Sequence, residues 1–135
     1  MNYAELIRRA LQAREHAYAP YSGFLVGAAL MGKSGVIYEG CNVENAAYTP
    51  SNCAERTAFF KAVSQGEREF KAIAIVGGAK SGIRKLCPPC GVCRQVMMEF
   101  CVPDEFEIVM AKDENDYRIC TLAELLPMGF GPENL

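Results

Sequence analysis

Two short segments, Cys53-Ala54-Glu55 and Pro89-Cys90-Gly91-Val92-Cys93, constrain this chain more than anything else in it. Cys90 and Cys93 stand at i and i+3, a spacing that lets one helical turn offer two thiolates to a single zinc ion. Cys53 lies beside a carboxylate where another helix is expected to begin. Free backbone N–H groups and the positive dipole end of a helix N-terminus both stabilise a thiolate. A fold that serves all three sulfurs must therefore bring two helix starts to one point.

Three protein ligands leave the fourth tetrahedral position open, which marks a catalytic rather than a structural zinc. Zinc lowers the pKa of bound water from about 15.7 towards 7. Three thiolates leave the site with excess negative charge, which opposes that acidification and calls for an offset. Arg56, next to Glu55, is the candidate for donating to a ligand sulfur, and Arg94 is placed to do the same from the second helix. Glu55 is two residues from a ligand, so it can approach the open position without binding metal, as a proton shuttle must. Cys87 is the rival ligand. Pro88-Pro89 forces extended backbone, so Cys87 and Cys90 are about 9 Å apart along the chain, whereas sulfurs sharing one zinc lie about 3.8 Å apart. Two readings stay open beside the catalytic one: a closed site of Cys53, Cys87, Cys90 and Cys93, and a Cys-x-x-Cys redox dithiol.

The rest of the chain supplies a frame. Asn2 with Glu5 opens a helix in the manner of a capping box, and Leu6, Ile7, Ala10, Leu11 and Ala17 keep helical spacing up to Pro20. Phe24–Met31 and Val36–Cys41 read as strands around a Lys33-Ser34-Gly35 turn, and Asn45–Asn52 as a loop. Cys53–Ser64 reads as a helix stopped by Gln65-Gly66, and Ala72–Val76 as a buried strand closed by Gly77-Gly78. Gly91–Phe100 follows as a helix with Val92, Val96 and Met97 as its apolar stripe. Phe106–Met110 and Tyr117–Thr121 are strands, and Leu122–Leu126 is a brief helix. This alternation predicts an α/β layered sheet in one domain over residues 1–135.

Seven cysteines, an odd number unevenly spaced, suit metal ligation or catalysis in a reducing compartment better than a disulfide framework. Cys41, Cys101 and Cys120 are expected to be small buried hydrophobes. No apolar run approaches the roughly 20 residues of a membrane helix, and the N-terminus lacks the pattern of a signal peptide, so a cytoplasmic protein with no membrane partner is expected. The net charge of -2, with lysines and arginines scattered, argues against a nucleic-acid partner and for a small substrate.

Together, [His/Cys]-x-Glu and a later Pro-Cys-x-x-Cys form the zinc nucleoside and nucleobase deaminase signature. The chain resembles the small three-cysteine cytidine deaminases within that group. The likeness runs through Tyr18-Ala19-Pro20-Tyr21-Ser22, Val26-Gly27-Ala28-Ala29-Leu30, Asn42-Val43-Glu44-Asn45-Ala46, Cys53-Ala54-Glu55-Arg56-Thr57, Pro89–Gln95 and Leu125–Phe130. The resemblance implies a three-layer α/β/α fold, a mixed five-stranded sheet with helices on both faces, and one zinc per chain on Cys53, Cys90 and Cys93. It implies hydrolytic deamination of cytidine and 2'-deoxycytidine, with Glu55 moving protons and Arg56 bonded to ligand sulfur. Asn42 and Glu44 are expected to hold the ribose, Phe24 to stack on the pyrimidine and Ala54 to contact the base. Phe130 is expected to close a site in a neighbouring subunit of a homotetramer. The Asn-x-Glu-Asn segment speaks against another cytosine nucleoside such as blasticidin S, and Glu55 against a silent zinc-binding interaction module.

Overall fold

A computed structural model describes residues 1–135 and sets the strands in one mixed five-stranded sheet. The strands are β1 (Phe24–Gly32), β2 (Ile37–Cys41), β3 (Phe70–Ala79), β4 (Glu107–Asp113) and β5 (Asp116–Thr121), in the order β2-β1-β3-β4-β5. Only the β3–β4 pair is parallel. Parallel strands need a crossover, and here it is the segment carrying the helix α3 (Gly91–Phe100).

Alternation along each strand divides the core in two. Ala72, Ala74 and Val76 of β3, with Ala29, Val109 and Ala111, meet Leu6, Ile7 and Ala10 of α1 (Tyr3–Arg14). Ile73 and Ile75, with Leu30, Ile108 and Met110, face α2 (Ala54–Ser64) and α3 on the opposite side. The result is the expected α/β/α sandwich. The α1 face is lined mainly by alanine and valine, which lets that helix lie close, whereas the other face is bulkier. There Phe59 of α2 is fully buried, 5.0 Å from the ring of Phe70 and 6.2 Å from that of Phe100. Such aromatic pairs add about 0.5–1.5 kcal/mol beyond their buried area. They tie the far end of α3 to the middle of α2 and so fix the angle at which the two helix starts meet.

Gly40 positions α2 itself. A Cβ at this residue would lie 2.4 Å from the Ala54 carbonyl oxygen and 2.5 Å from the Ala58 nitrogen. The first turn of α2 therefore rests directly on the β2 backbone, and any side chain there would lift the helix start away.

Several boundaries differ from the sequence expectation. The first helix ends at Arg14, well before Pro20, because Tyr18 leaves the helical path. Its N–H donates to the Asn42 carbonyl and its own carbonyl accepts from Glu44. Strand β3 runs through Gly77-Gly78 to Ala79, since those glycines pair with Val26 and Leu25 of β1 instead of ending the strand. On α3, Cys93 and Met97 are the buried residues, while Val92 of the expected stripe is exposed. A short helix α4 (Leu122–Leu125) is capped by Thr121 and Glu124 in a complete capping box. No helix is long and apolar enough to cross a membrane.

Candidate metal centre and active site

Both cysteine segments sit at helix starts. Cys53 is the N-cap of α2 and Cys90 the N-cap of α3, each in extended backbone, and the Cys90 sulfur accepts from the Cys93 N–H. The Sγ atoms of Cys53 and Cys90 lie 3.7 Å apart and those of Cys90 and Cys93 3.5 Å apart, with all three inside 4.8 Å of one another. Three sulfurs about 3.8 Å apart are the spacing that a tetrahedral zinc with 2.3 Å bonds demands. The cluster fits one zinc ion. Cys87 is not part of it, which removes the closed four-cysteine reading.

The charges around the sulfurs are arranged for thiolate. The Arg56 guanidinium donates to Cys53 Sγ at 3.2 Å. Hydrogen bonding from Cys93, then from Arg56 and Cys90, draws the Cys53 thiol well below its ordinary range. Burial works against the charge on Arg56, but its contacts with Cys53 and Cys93 more than restore it. Arg94 does not share this role. Its Nε donates to the Pro89 carbonyl at 2.8 Å and its Nη1 to the Leu125 carbonyl at 2.6 Å, so it braces the loop before α3 against α4.

Glu55 is the one buried charged residue of the chain, 3% exposed. Burial, with the Cys53 charge adding to it and Arg56 opposing, pushes its carboxyl up to about 7. A group with such a pKa can both accept and release a proton near neutrality.

A cavity of about 620 Å³ opens over the cluster. Phe24, Asn42, Glu44, Ala54, Glu55, Arg56, Cys53 and Cys90 all line it, so the structure gathers most of the expected residues at one place. Cys93 lies beneath it, 1% exposed. Phe130 is outside, 58% exposed, its carbonyl held by Gln95 Nε2 at 2.8 Å. Other lining residues were not expected as site residues from the sequence, among them Ser22, Tyr48, Cys87 and Val92. Tyr48 stands in left-handed backbone (φ 63°) with its ring edge-on to Tyr21 at 6.3 Å. An isolated loop tyrosine carries no periodic signal. Cys87 carries one only as a neighbour of Cys90, and its thiol is pushed up to about 12 by burial, then by the charges of Glu55, Cys53 and Cys90. Cys120 is buried as expected, whereas Cys41 and Cys101 are only partly so.

Residues 1–110 match the family described as the cytidine and deoxycytidylate deaminase zinc-binding region. The chain belongs to that family. It is 49% identical to a cytidine deaminase of Sporosarcina psychrophila over 135 residues, covering all of this chain and 96% of the other. Identity to a cytidine deaminase of Halalkalibacterium halodurans is 48%, again over the whole chain and 98% of the relative. The crystal structure of cytidine deaminase from Burkholderia pseudomallei superposes with a TM-score of 0.87 at 48% identity, covering 96% of this chain and 100% of that one. The mixed five-stranded sheet is thus the family's fold, and zinc is the metal that the three sulfurs are built to take.

Proposed function

We propose that the protein hydrolyses cytidine and 2'-deoxycytidine to uridine and 2'-deoxyuridine with release of ammonia, a reaction of pyrimidine salvage. The observation that carries this reading is a buried carboxyl, Glu55, two residues from Cys53 of a three-sulfur cluster and lining a cavity large enough for a nucleoside. Ligand sites of this kind span about 300–1,000 Å³. The relatives' names and the family's zinc-binding description support the same conclusion.

Cys53, Cys90 and Cys93 would hold one zinc per chain, and the ion would supply the Lewis acidity that makes a water easier to deprotonate near neutral pH. The protein's own groups move the protons. The Glu55 carboxylate takes a proton from the attacking water and delivers it to the pyrimidine N3. It then carries the second proton to the departing amino nitrogen, so water and cytidine balance to uridine and ammonia. Arg56 draws electron density from the Cys53 sulfur and so limits the charge the thiolates place on the metal. The Ala54 backbone contacts the base, the Phe24 ring stacks on it, and Asn42 and Glu44 hold the sugar.

In this reading residues 1–135 form a single catalytic domain working in the cytoplasm on small nucleosides, with neither nucleic acid nor membrane as partner. The scattered basic residues and net charge of -2 support the preference for an uncharged substrate. We place it as a homotetramer with shared sites, Phe130 closing a neighbour's cavity. Its exposed ring outside its own cavity supports that assignment.

Loss of the cytosine absorbance of cytidine tests the function directly, with zinc counted per chain. Glu55→Ala is expected to keep about one zinc while kcat falls by about 10³-fold. Wild-type protein that holds zinc but leaves cytidine and deoxycytidine unchanged would sink the substrate assignment.

A further inference from the structure

Three donors from one loop converge on a single carboxylate of the cavity lining, Glu44. Glu44 Oε1 accepts from the Tyr21 N–H at 2.9 Å and from the Ser22 N–H at 3.1 Å. Glu44 Oε2 accepts from the Ser22 hydroxyl. The Ser22 oxygen in turn accepts from the Phe24 N–H at 3.0 Å. An ionised carboxylate can only accept, so the direction of every bond in this chain is fixed: Phe24 N–H to Ser22 Oγ, Ser22 O–H to Glu44. These bonds hold the Glu44 carboxyl below its usual range, the Ser22 hydroxyl contributing most.

Phe24 is gripped from its other side as well. Asn42 Nδ2 donates to the Phe24 carbonyl at 2.8 Å, while Asn42 Oδ1 accepts from the Val26 N–H at 2.9 Å. The aromatic wall of the cavity and its two polar side chains are therefore one hydrogen-bonded unit, and Ser22 is the only side chain that joins the carboxylate to the aromatic residue. A carboxylate has about four acceptor directions. Three are occupied by the protein, and both on Oε1 are taken, so Glu44 offers a ligand one direction, on Oε2 beside Ser22.

We propose that Ser22 is a positioning residue for sugar recognition: it orients Glu44 so that the remaining Oε2 lone pair receives one hydroxyl of the sugar ring, at C2' or C3'. This rests on the reading of Glu44 as the sugar acceptor. Ser22 never touches the reacting atoms. Without it the Glu44 carboxylate keeps its two backbone bonds on Oε1, but Oε2 loses its only protein partner and must be ordered anew by each incoming substrate. Such ordering weakens binding of the hydroxyl and leaves the chemical step alone.

The test compares cytidine with 2',3'-dideoxycytidine, which lacks both hydroxyls of the sugar ring and keeps only the 5'-hydroxyl, for wild type, Ser22→Ala, Ser22→Thr and Glu44→Gln. Ser22→Ala is expected to raise KM for cytidine by about tenfold, the effect of one hydrogen bond to an ionised group, with kcat within about twofold and zinc retained. Its kcat/KM on the dideoxy substrate is expected to stay near the wild-type value, so the preference between the two substrates collapses. Ser22 is exposed, so a threonine methyl has room, and Ser22→Thr is expected to restore that preference. Equal losses on both substrates would make Ser22 a merely structural residue and overturn the inference. So would a threonine variant as impaired as the alanine one. If Glu44→Gln abolishes the preference while Ser22→Ala does not, the inference about Ser22 fails alone. If Glu44→Gln leaves the preference intact, the sugar reading of Glu44 fails and takes this one with it.

Discussion

The two ends of the cavity are made by different means. At the metal end the chemistry comes from side chains within three residues of one another on two helix starts: Cys53, Glu55 and Arg56 on α2, Cys90 and Cys93 on α3. At the end where we propose that the sugar binds, loop side chains are bonded to backbone far away in sequence, 22 residues from Glu44 to Ser22 and 18 from Asn42 to Phe24. One end is held by packed secondary structure, with Phe59 and Gly40 fixing where the helices lie. The other is held by a small polar network at the surface. Damage at the metal end should therefore abolish chemistry outright, whereas damage at the sugar end should grade affinity and leave turnover in place.

The largest effect expected is from Cys90→Ala. It removes the sulfur that lies within 3.7 Å of both other ligands, so zinc and cytidine turnover should both be lost. A purified variant with a full zinc complement and measurable activity would show that the cluster is not the metal site. Arg56→Ala comes next, with kcat lowered by about 10–100-fold and zinc bound more loosely, as removal of a partner of a metal ligand usually does. Its pH profile carries a sign. Arg56 opposes the burial that raises the Glu55 carboxyl, so its removal raises that carboxyl further. The carboxylate is the form that accepts a proton, and the acid limb of kcat/KM should therefore move to higher pH. An unmoved limb would separate Arg56 from the proton shuttle.

Asn42→Ala tests the other end. It strips a partner from the Phe24 carbonyl and the Val26 N–H together, which should cost about 1–2 kcal/mol of stability in urea unfolding. KM for cytidine should rise about tenfold at nearly constant kcat. A collapse of kcat instead would erase the distinction between a chemical end and a binding end.

The same contrast explains what could be read from the sequence. A spacing of three residues survives translation into structure, because one turn of helix puts those side chains together, and a residue between them in that turn stays close to the same helix start. Cys53, Glu55, Arg56, Cys90 and Cys93 were legible for that reason, and α3 begins and ends where periodicity placed it. The sheet was legible from alternation, except where tertiary pairing overrode local punctuation. Gly77-Gly78 reads as a strand end, yet β1 supplies partners that carry the strand through to Ala79. Ser22 and Tyr48 were invisible because nothing local marks a loop residue whose role depends on a partner elsewhere in the chain. Arg94 misled for the opposite reason: its distance from Cys93 along the sequence was short, but its guanidinium turns to two carbonyls instead.

The smallest effect belongs to Cys87, and it tests how far sequence proximity can mislead. Cys87 precedes Cys90 by the same three residues that separate Cys90 from Cys93, yet it packs against the sheet. A Cβ on Gly77 would lie 2.8 Å from the Cys87 sulfur and 3.1 Å from the Phe24 ring, so the bare glycine leaves the room that these two side chains share as a wall of the cavity. Burial pushes the Cys87 thiol up to about 12, which favours the neutral thiol near neutral pH. Cys87→Ser is therefore expected to keep one zinc, to change kcat/KM by no more than about threefold, as a near-isosteric wall substitution should, and to leave the pH profile between about 5 and 9 where it was, since no charge is gained or lost. Loss of zinc in this variant would place Cys87 in the metal shell after all, and with it the open coordination position on which the chemistry of the metal end depends.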